Sequence, residues 1–215
     1  MELKVIFLII LAAVSVIYLI TLFFKDGRLQ FILKGCLLPI ILAIYIFGAE
    51  KILIPIVLAL FFGWLGDVFL LKINNLMSFR LGLVSFLIGH LFYITAMFNF
   101  AGPFNVTVLV CGVIAAVVVG FCIFKIIRPS AEMKIPVIVY EVVIITMVIY
   151  ALQVFLANGG KFGSFVFAGS LCFMVSDSLL AYDTFRKKIK YGSFLIMLTY
   201  IIAQLFITLG FCAAV

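Results

Sequence analysis

Two aspartates, Asp67 and Asp177, lie inside otherwise apolar runs, LFFGWLGDVFLL and FMVSDSLLAYD. A carboxylate embedded in such a run costs a few kcal/mol unless it faces water or a partner, so each marks a functional site by default. His90 in GHLFY is the single histidine of the chain, Glu141 stands beside Tyr140 in a further apolar run, and Asp183 follows Asp177 by under two helical turns. One histidine excludes a three-histidine zinc site, and neither HExxH nor a cysteine-rich ligand spacing occurs. There is no GxSxG elbow, and Ser176, although it precedes Asp177, has no assignable base. Carboxylate chemistry with one histidine remains. One carboxylic acid donates a proton while a second, ionised carboxylate stabilises an oxocarbenium ion or activates water, which suits an acetal-like or enol-ether carbon. No metal and no cofactor are expected.

Each of these residues also has a structural alternative. Asp67 can pair with Lys34 or a serine hydroxyl, and Asp183 has Arg186 and Lys187 at i+3 and i+4, the spacing of a helical salt bridge. His90, Tyr200 and Gln204 suit hydrogen bonding between helices. Glu141 is harder to explain structurally, because a glutamate well inside a span is seldom lipid-facing.

The elements that must position these residues follow from composition. Hydrophobic residues make up 68% of the chain and charged residues 11%, with a mean hydropathy of +1.46. Such a chain exceeds what a water-soluble core can hide and uses lipid as its solvent. Cutting the apolar runs at charges, Pro, Gly and Asn predicts about eight spans, near 3–24, 31–49, 52–71, 80–99, 104–124, 135–156, 162–182 and 191–214. Each approaches the roughly 20 residues a helix needs to cross a hydrocarbon core. The runs are too continuous for lipid-facing barrel strands, so the fold class is all-α, a polytopic membrane helical bundle. It is read as a single membrane domain, 1–215. The first run is longer than a signal h-region and lacks a small-x-small cleavage site, so it is expected to be a retained helix. Cys36, Cys111, Cys122, Cys172 and Cys212 lie within spans without paired spacing and read as packing residues. Pro39, Pro55 and Pro136 fit kinks or helix starts, and Pro129 a helix stop.

Eight spans place Lys25, Arg28, Lys34, Lys72, Arg80, Lys125, Arg128, Lys134, Arg186, Lys187, Lys188 and Lys190 on one side, and only Lys4, Lys51 and Lys161 on the other. By the positive-inside rule the first side is cytoplasmic and both termini are outside, in an integral membrane protein expected in the bacterial cell (inner) membrane. The net charge of +7 then marks topology and anionic lipid contact, and nucleic acid is not an expected partner. At about 1.5 Å per helical residue, Asp67 lies about 7–8 Å inside the basic boundary, Glu141 about 10 Å, Asp177 about 13 Å, and His90 and Tyr200 about 15 Å. All five occupy the half nearer that side, which favours a one-sided cavity over a through-pore. His90 follows Asp67 by the same number of residues as Tyr200 follows Asp177. A faint four-plus-four repeat, 1–100 and 101–215, is therefore legible.

The blocks FFGWLGDVFLL, FLIGHLFY, IPVIVYE, FMVSDSLLAYDTF and TYIIAQLFI together resemble the YhhN family of eight-helix membrane proteins, whose characterised members are lysoplasmalogenases. The resemblance covers about residues 31–209, and the two Asp blocks are its most specific parts. One departure is visible: Lys34 is followed by Gly35, where the family often has Lys-Pro. The resemblance implies hydrolysis of the vinyl-ether bond of lysoplasmenyl-ethanolamine or -choline to a fatty aldehyde and the glycerophospho-base. Its implied partners are a lysophospholipid substrate and membrane lipids. Asp177, the deeper and less hydrated carboxyl, is the implied general acid, with Asp67 the cation stabiliser or base. His90, Glu141 and Asp183 would position water or bind the headgroup amine. Tyr200 and Gln204 would hold glycerol hydroxyls, and Lys34 and Tyr140 are further expected substrate contacts. Two other classes fit the same composition: a proton-coupled transporter relaying through intramembrane carboxylates, which expects polar residues on both sides of the midplane, and a scaffold that needs no acids at all.

Overall fold

A computed structural model describes residues 2–24, 27–71, 76–103 and 105–214. Eight α-helices are present among them: α1 (Glu2–Thr21), α2 (Gly27–Gly48), α3 (Ile54–Leu70), α4 (Leu76–Phe98), α5 (Val106–Ile127), α6 (Lys134–Asn158), α7 (Gly160–Phe185) and α8 (Gly192–Ala214). A single 3-10 turn, Ala131–Met133, leads into α6. The helices keep their backbone bonds internal, as lipid requires, and their outward side chains are apolar: Ile9, Val117 and Ile135 are 65%, 66% and 74% exposed. This exposed apolar surface makes the chain an integral membrane protein.

Several helices run past the predicted ends. α4 begins before Arg80, and α7 continues through Asp183. A charge ends an apolar run without ending a helix, because a charged side chain at the membrane boundary reaches water while its backbone stays helical. Among the described residues six helices are long and apolar enough to cross a membrane, and α3, at 17 residues, is shorter. At 1.5 Å per residue α3 is about 25 Å long, short of a hydrocarbon core of about 30 Å.

The connections alternate between two ends. At one end Gln30 donates to the Thr21 carbonyl, Arg80 pairs with Glu132 at 2.7 Å, and Phe79 packs edge-on against Phe185. At the other, the Leu53 amide donates to the Tyr45 hydroxyl and Asn158 donates to the Phe100 carbonyl. The first is the basic end. Two residues of its predicted set, Lys25 and Lys72, lie outside the described residues, as do the side chains of Cys111 and Cys122. Cys36, Cys172 and Cys212 are free thiols.

Close helix pairs position the site. α3 lies along α4 and α7 along α8, with α5 at the periphery against α6 and α7. Small residues permit this approach: a Cβ at Gly89 would sit 3.1 Å from the Ala59 carbonyl oxygen, and one at Gly169 would sit 2.9 Å from that of Ala203. In the core, Tyr45, Tyr93, Phe173 and Phe211 are fully buried.

Pro39 within α2 has no N–H to give to the carbonyl four residues earlier, that of Gly35. The Trp64 indole on α3 donates to that same oxygen at 2.9 Å. This bond satisfies the orphaned carbonyl and ties α2 to α3, one turn from Asp67. Trp64→Phe keeps most of the ring volume but strands the carbonyl, and is expected to cost about 1–3 kcal/mol, the usual penalty for an unsatisfied buried acceptor. The corresponding measurement is thermal unfolding in detergent, and an unchanged midpoint would contradict this role.

Candidate functional site

A cavity of about 650 Å³ enters the bundle from the basic end, and both Asp67 and Asp177 line it. Its volume lies within the roughly 300–1,000 Å³ of small-molecule sites. α3 brings Asp67 to its wall, where the side chain is 2% exposed. The carboxylate is held at both oxygens. Lys34 of α2 places Nζ 3.3 Å from Oδ1, and the Tyr200 hydroxyl of α8 donates to Oδ2 at 2.8 Å. Behind Tyr200 the bonding continues: Gln204 Nε2 lies 3.5 Å from the Tyr200 hydroxyl, and the Tyr93 hydroxyl donates to Gln204 Oε1 at 2.5 Å. Tyr200 and Gln204 sit one turn apart on α8, which is why both face α3 and α4.

Asp177 has a different environment. The Tyr140 hydroxyl of α6 donates to Asp177 Oδ2, and His90 Nε2 of α4 lies 3.9 Å from the same oxygen. Oδ1 accepts no hydrogen bond among the described residues, so it is free for a ligand. His90 is 1% exposed, and among the described residues its ring nitrogens make no well-aligned hydrogen bond, only a looser contact with the Phe86 backbone. Its ring is held edge-on between Phe173 and Tyr140, at centroid distances of 4.5 and 5.5 Å. Packing fixes the ring, and its Nε2 is enclosed beside Asp177, behind the cavity wall.

The two aspartates are served in a crossed pattern. Asp67 on α3 meets Tyr200 on α8, whereas Asp177 on α7 meets His90 on α4. Each acid thus contacts the residue at the matching offset in the other half of the chain.

Lys34, Asp67, Asp177, Asp183 and Tyr200 all line the cavity, with His90, Tyr140 and Gln204 directly behind its wall. Glu141 stands apart. It lines a groove of about 400 Å³ between α5 and α6, and it approaches Asp177 only across a small void between α6 and α7. Its Oε1 has no hydrogen-bond partner among the described residues. Asp183 sits at the cavity mouth, where its partners differ from those expected. Lys188 Nζ contacts Oδ2 at 2.7 Å and the Ile189 amide donates to Oδ1 at 2.7 Å, in place of Arg186 and Lys187. The reason is that α7 ends at Phe185, so the chain turns back toward Asp183 instead of continuing the i+3 and i+4 spacing.

Sequence reasoning missed Tyr93, Tyr18 and Gln30. Tyr93 follows His90 by nearly one turn and therefore shares its face, a signal that was readable. Tyr18 and Gln30 line the cavity from α1 and α2, and no local pattern distinguishes them from packing residues. Among the described residues, no three His, Cys, Asp or Glu side chains converge as metal ligands.

The model of the YhhN family matches residues 29–211. The chain is similar to a human protein named lysoplasmalogenase TMEM86B, at 33% identity over 133 residues, 62% of this chain and 54% of the relative. It is similar to a rat protein of the same name at 30% identity over 133 residues, covering 62% of this chain and 52% of the relative. The chain thus spans about half the length of the curated relatives it matches. No solved structure matches it.

Proposed function

The chain belongs to the YhhN family, and on that premise we propose that it is a membrane-embedded lipid hydrolase that cleaves the vinyl-ether bond of lysoplasmalogens. The observation that carries the reading is a single one-sided cavity lined by two aspartates in unlike surroundings. Asp67 has Lys34 as a counter-cation and both oxygens held, while Asp177 has a phenol and an imidazole on one oxygen and the other free. The names of the human and rat relatives support the same reaction class.

The chemistry follows from these surroundings. A proton on the free oxygen of Asp177 passes to the vinyl carbon on the chain side, as the carbon–carbon double bond becomes the new C–H bond. The adjacent carbon becomes an oxocarbenium ion, and the Asp177 carboxylate left behind faces it. Water adds to that carbon and gives up a proton to a carboxylate. Asp67 is the assigned base, because Lys34 and Tyr200 hold it in place. The resulting hemiacetal collapses: its hydroxyl proton leaves, the carbonyl forms, and the carbon–oxygen bond to glycerol breaks with protonation of the glycerol oxygen. One water is consumed, and fatty aldehyde and a glycerophospho-base are released. His90, whose enclosed Nε2 lies 3.9 Å from Asp177 Oδ2, is assigned the positioning of that carboxyl, and through it of the water.

The purified protein incubated with a lysoplasmenyl-choline or -ethanolamine is expected to release fatty aldehyde, and the rate is expected to survive prolonged chelation. Absence of aldehyde from every lysoplasmalogen tried would overturn the proposal. A loss on chelation that one divalent ion restores would replace the carboxylate mechanism with metal-activated water.

A further inference from the structure

The cavity mouth adjoins a second hollow that the reaction does not use. It measures about 460 Å³ and lies between the end of α1 and the α7–α8 connection. Phe23, Tyr191 and Phe194 form one part of its wall, with ring centroids 5.8 Å apart for Phe23–Tyr191 and 5.4 Å for Phe23–Phe194. Asp183 and Lys188 line both hollows.

We propose that this hollow is a headgroup subsite, in which Lys188 takes the phosphate of a single-chain phospholipid while Asp183 and the aromatic wall take its ammonium group. The proposal rests on the hydrolase reading and deepens it by assigning headgroup recognition.

The geometry of Asp183 supports it. The Ile189 amide locks Oδ1, so the carboxylate keeps its orientation whether or not Lys188 is in contact. Lys188 holds only Oδ2, and its side chain is 82% exposed against 11% for Asp183. An exposed lysine is free to swing to a phosphate, which releases Oδ2 to an ammonium. A zwitterionic pair on the protein then matches a zwitterionic headgroup, and an ammonium beside aromatic faces gains further from their quadrupoles. Tyr191 already carries a cation, Lys190 Nζ, 5.2 Å from its ring centroid.

The backbone is shaped to hold this arrangement. Tyr191 adopts φ +61°, a left-handed conformation that a bulky residue seldom takes without cause. Gly192 follows because a Cβ there would lie 2.7 Å from Asp183 Oδ1. The spacing also fits. Asp183 lies six residues beyond Asp177 on α7, about 9 Å along the axis, a distance that a glycerol and a phosphodiester span from the vinyl ether.

Three alkenyl lipids of equal chain length test the proposal: one with phosphocholine, one with phosphoglycerol, and alkenylglycerol with no headgroup. Lys188→Gln is expected to raise KM about twofold to fivefold for the two phosphate-bearing lipids, the scale of an exposed ion pair. Asp183→Asn, which preserves an acceptor for the Ile189 amide, and Tyr191→Gly, which suits the positive φ, are expected to raise KM for phosphocholine alone, by about threefold to thirtyfold. The KM ratios among the three lipids staying at wild-type values in all three variants would overturn the subsite. An equal fall in kcat on every lipid for Asp183→Asn would overturn its headgroup role and move it into the chemistry. Calorimetric titration of glycerophosphocholine into nanodisc-embedded protein separates the two readings. Binding that Lys188→Gln and Tyr191→Gly weaken, in a protein that releases no aldehyde, keeps the subsite and removes the hydrolase. Aldehyde release with no such binding and unchanged KM ratios does the reverse.

Discussion

Asp177→Asn is expected to abolish aldehyde release while leaving lysolipid binding near its wild-type level. The substitution keeps size, polarity and an acceptor for the Tyr140 hydroxyl, so the cavity wall should hold its shape. An amide cannot deliver a proton to carbon. General acid–base help is worth about 10²–10⁴ in rate, and here the donor is also the group left facing the cation, so the loss should reach or exceed the upper end. A lysolipid with an acyl ester in place of the vinyl ether should bind and resist cleavage, because an ester has no nucleophilic carbon to protonate. Near-normal turnover by a well-folded Asp177→Asn protein would show that the proton comes from elsewhere. His90→Gln then becomes the informative comparison, since His90 and Tyr140 both approach Oδ2 of Asp177.

The second large effect concerns stability. Lys34 and Asp67 form an ion pair deep in the bundle, with side chains 11% and 2% exposed. Removing one partner of such a pair leaves an uncompensated buried charge, which typically costs about 3–5 kcal/mol, whereas removing both charges costs far less. Lys34→Met should therefore lower the unfolding midpoint in detergent strongly. The double variant Lys34→Met with Asp67→Asn should recover most of the loss, since the Tyr200 hydroxyl, which donates to the Asp67 carboxylate, can donate equally to an amide oxygen in its place. Its activity is expected to remain low, because the base is gone. Recovery of both stability and activity would reduce the pair to a structural bond. An unaltered midpoint for Lys34→Met would mean that the pair contributes nothing to folding.

Position along each helix, counted from its charged end, was readable from the residues alone. Hydropathy located the helices because backbone groups in lipid must pair within one segment, so each crossing carries a long apolar run. The charges that ended those runs then ranked Asp67, Asp177, His90, Glu141 and Tyr200 by distance from the basic end. Few ionisable residues occur at such depth, and each is costly there, so the candidates were conspicuous. The equal offsets between Asp67 and His90 and between Asp177 and Tyr200 were also visible, although not that each acid meets the residue from the opposite half.

Azimuth was decided only by the packed bundle. α6 is apolar nearly all round, so nothing in its periodicity says which side faces the interior. Tyr140 and Glu141 are adjacent in sequence and nearly equal in depth, yet Tyr140 donates to Asp177 while Glu141 turns into the α5–α6 groove. Neighbouring helical residues point about 100° apart, and close packing at positions such as Gly89 and Gly169 sets where each direction leads. The pairing of Lys34 with Asp67 was one of the alternatives the residues offered, whereas Tyr140 for Asp177 and Lys188 for Asp183 come from that packing and from the turn after Phe185. A sequence of apolar helices states how deep a polar residue lies, because depth is measured along one chain. Which neighbour it meets depends on the rotation of several helices about one another, and that is a property of the tertiary structure.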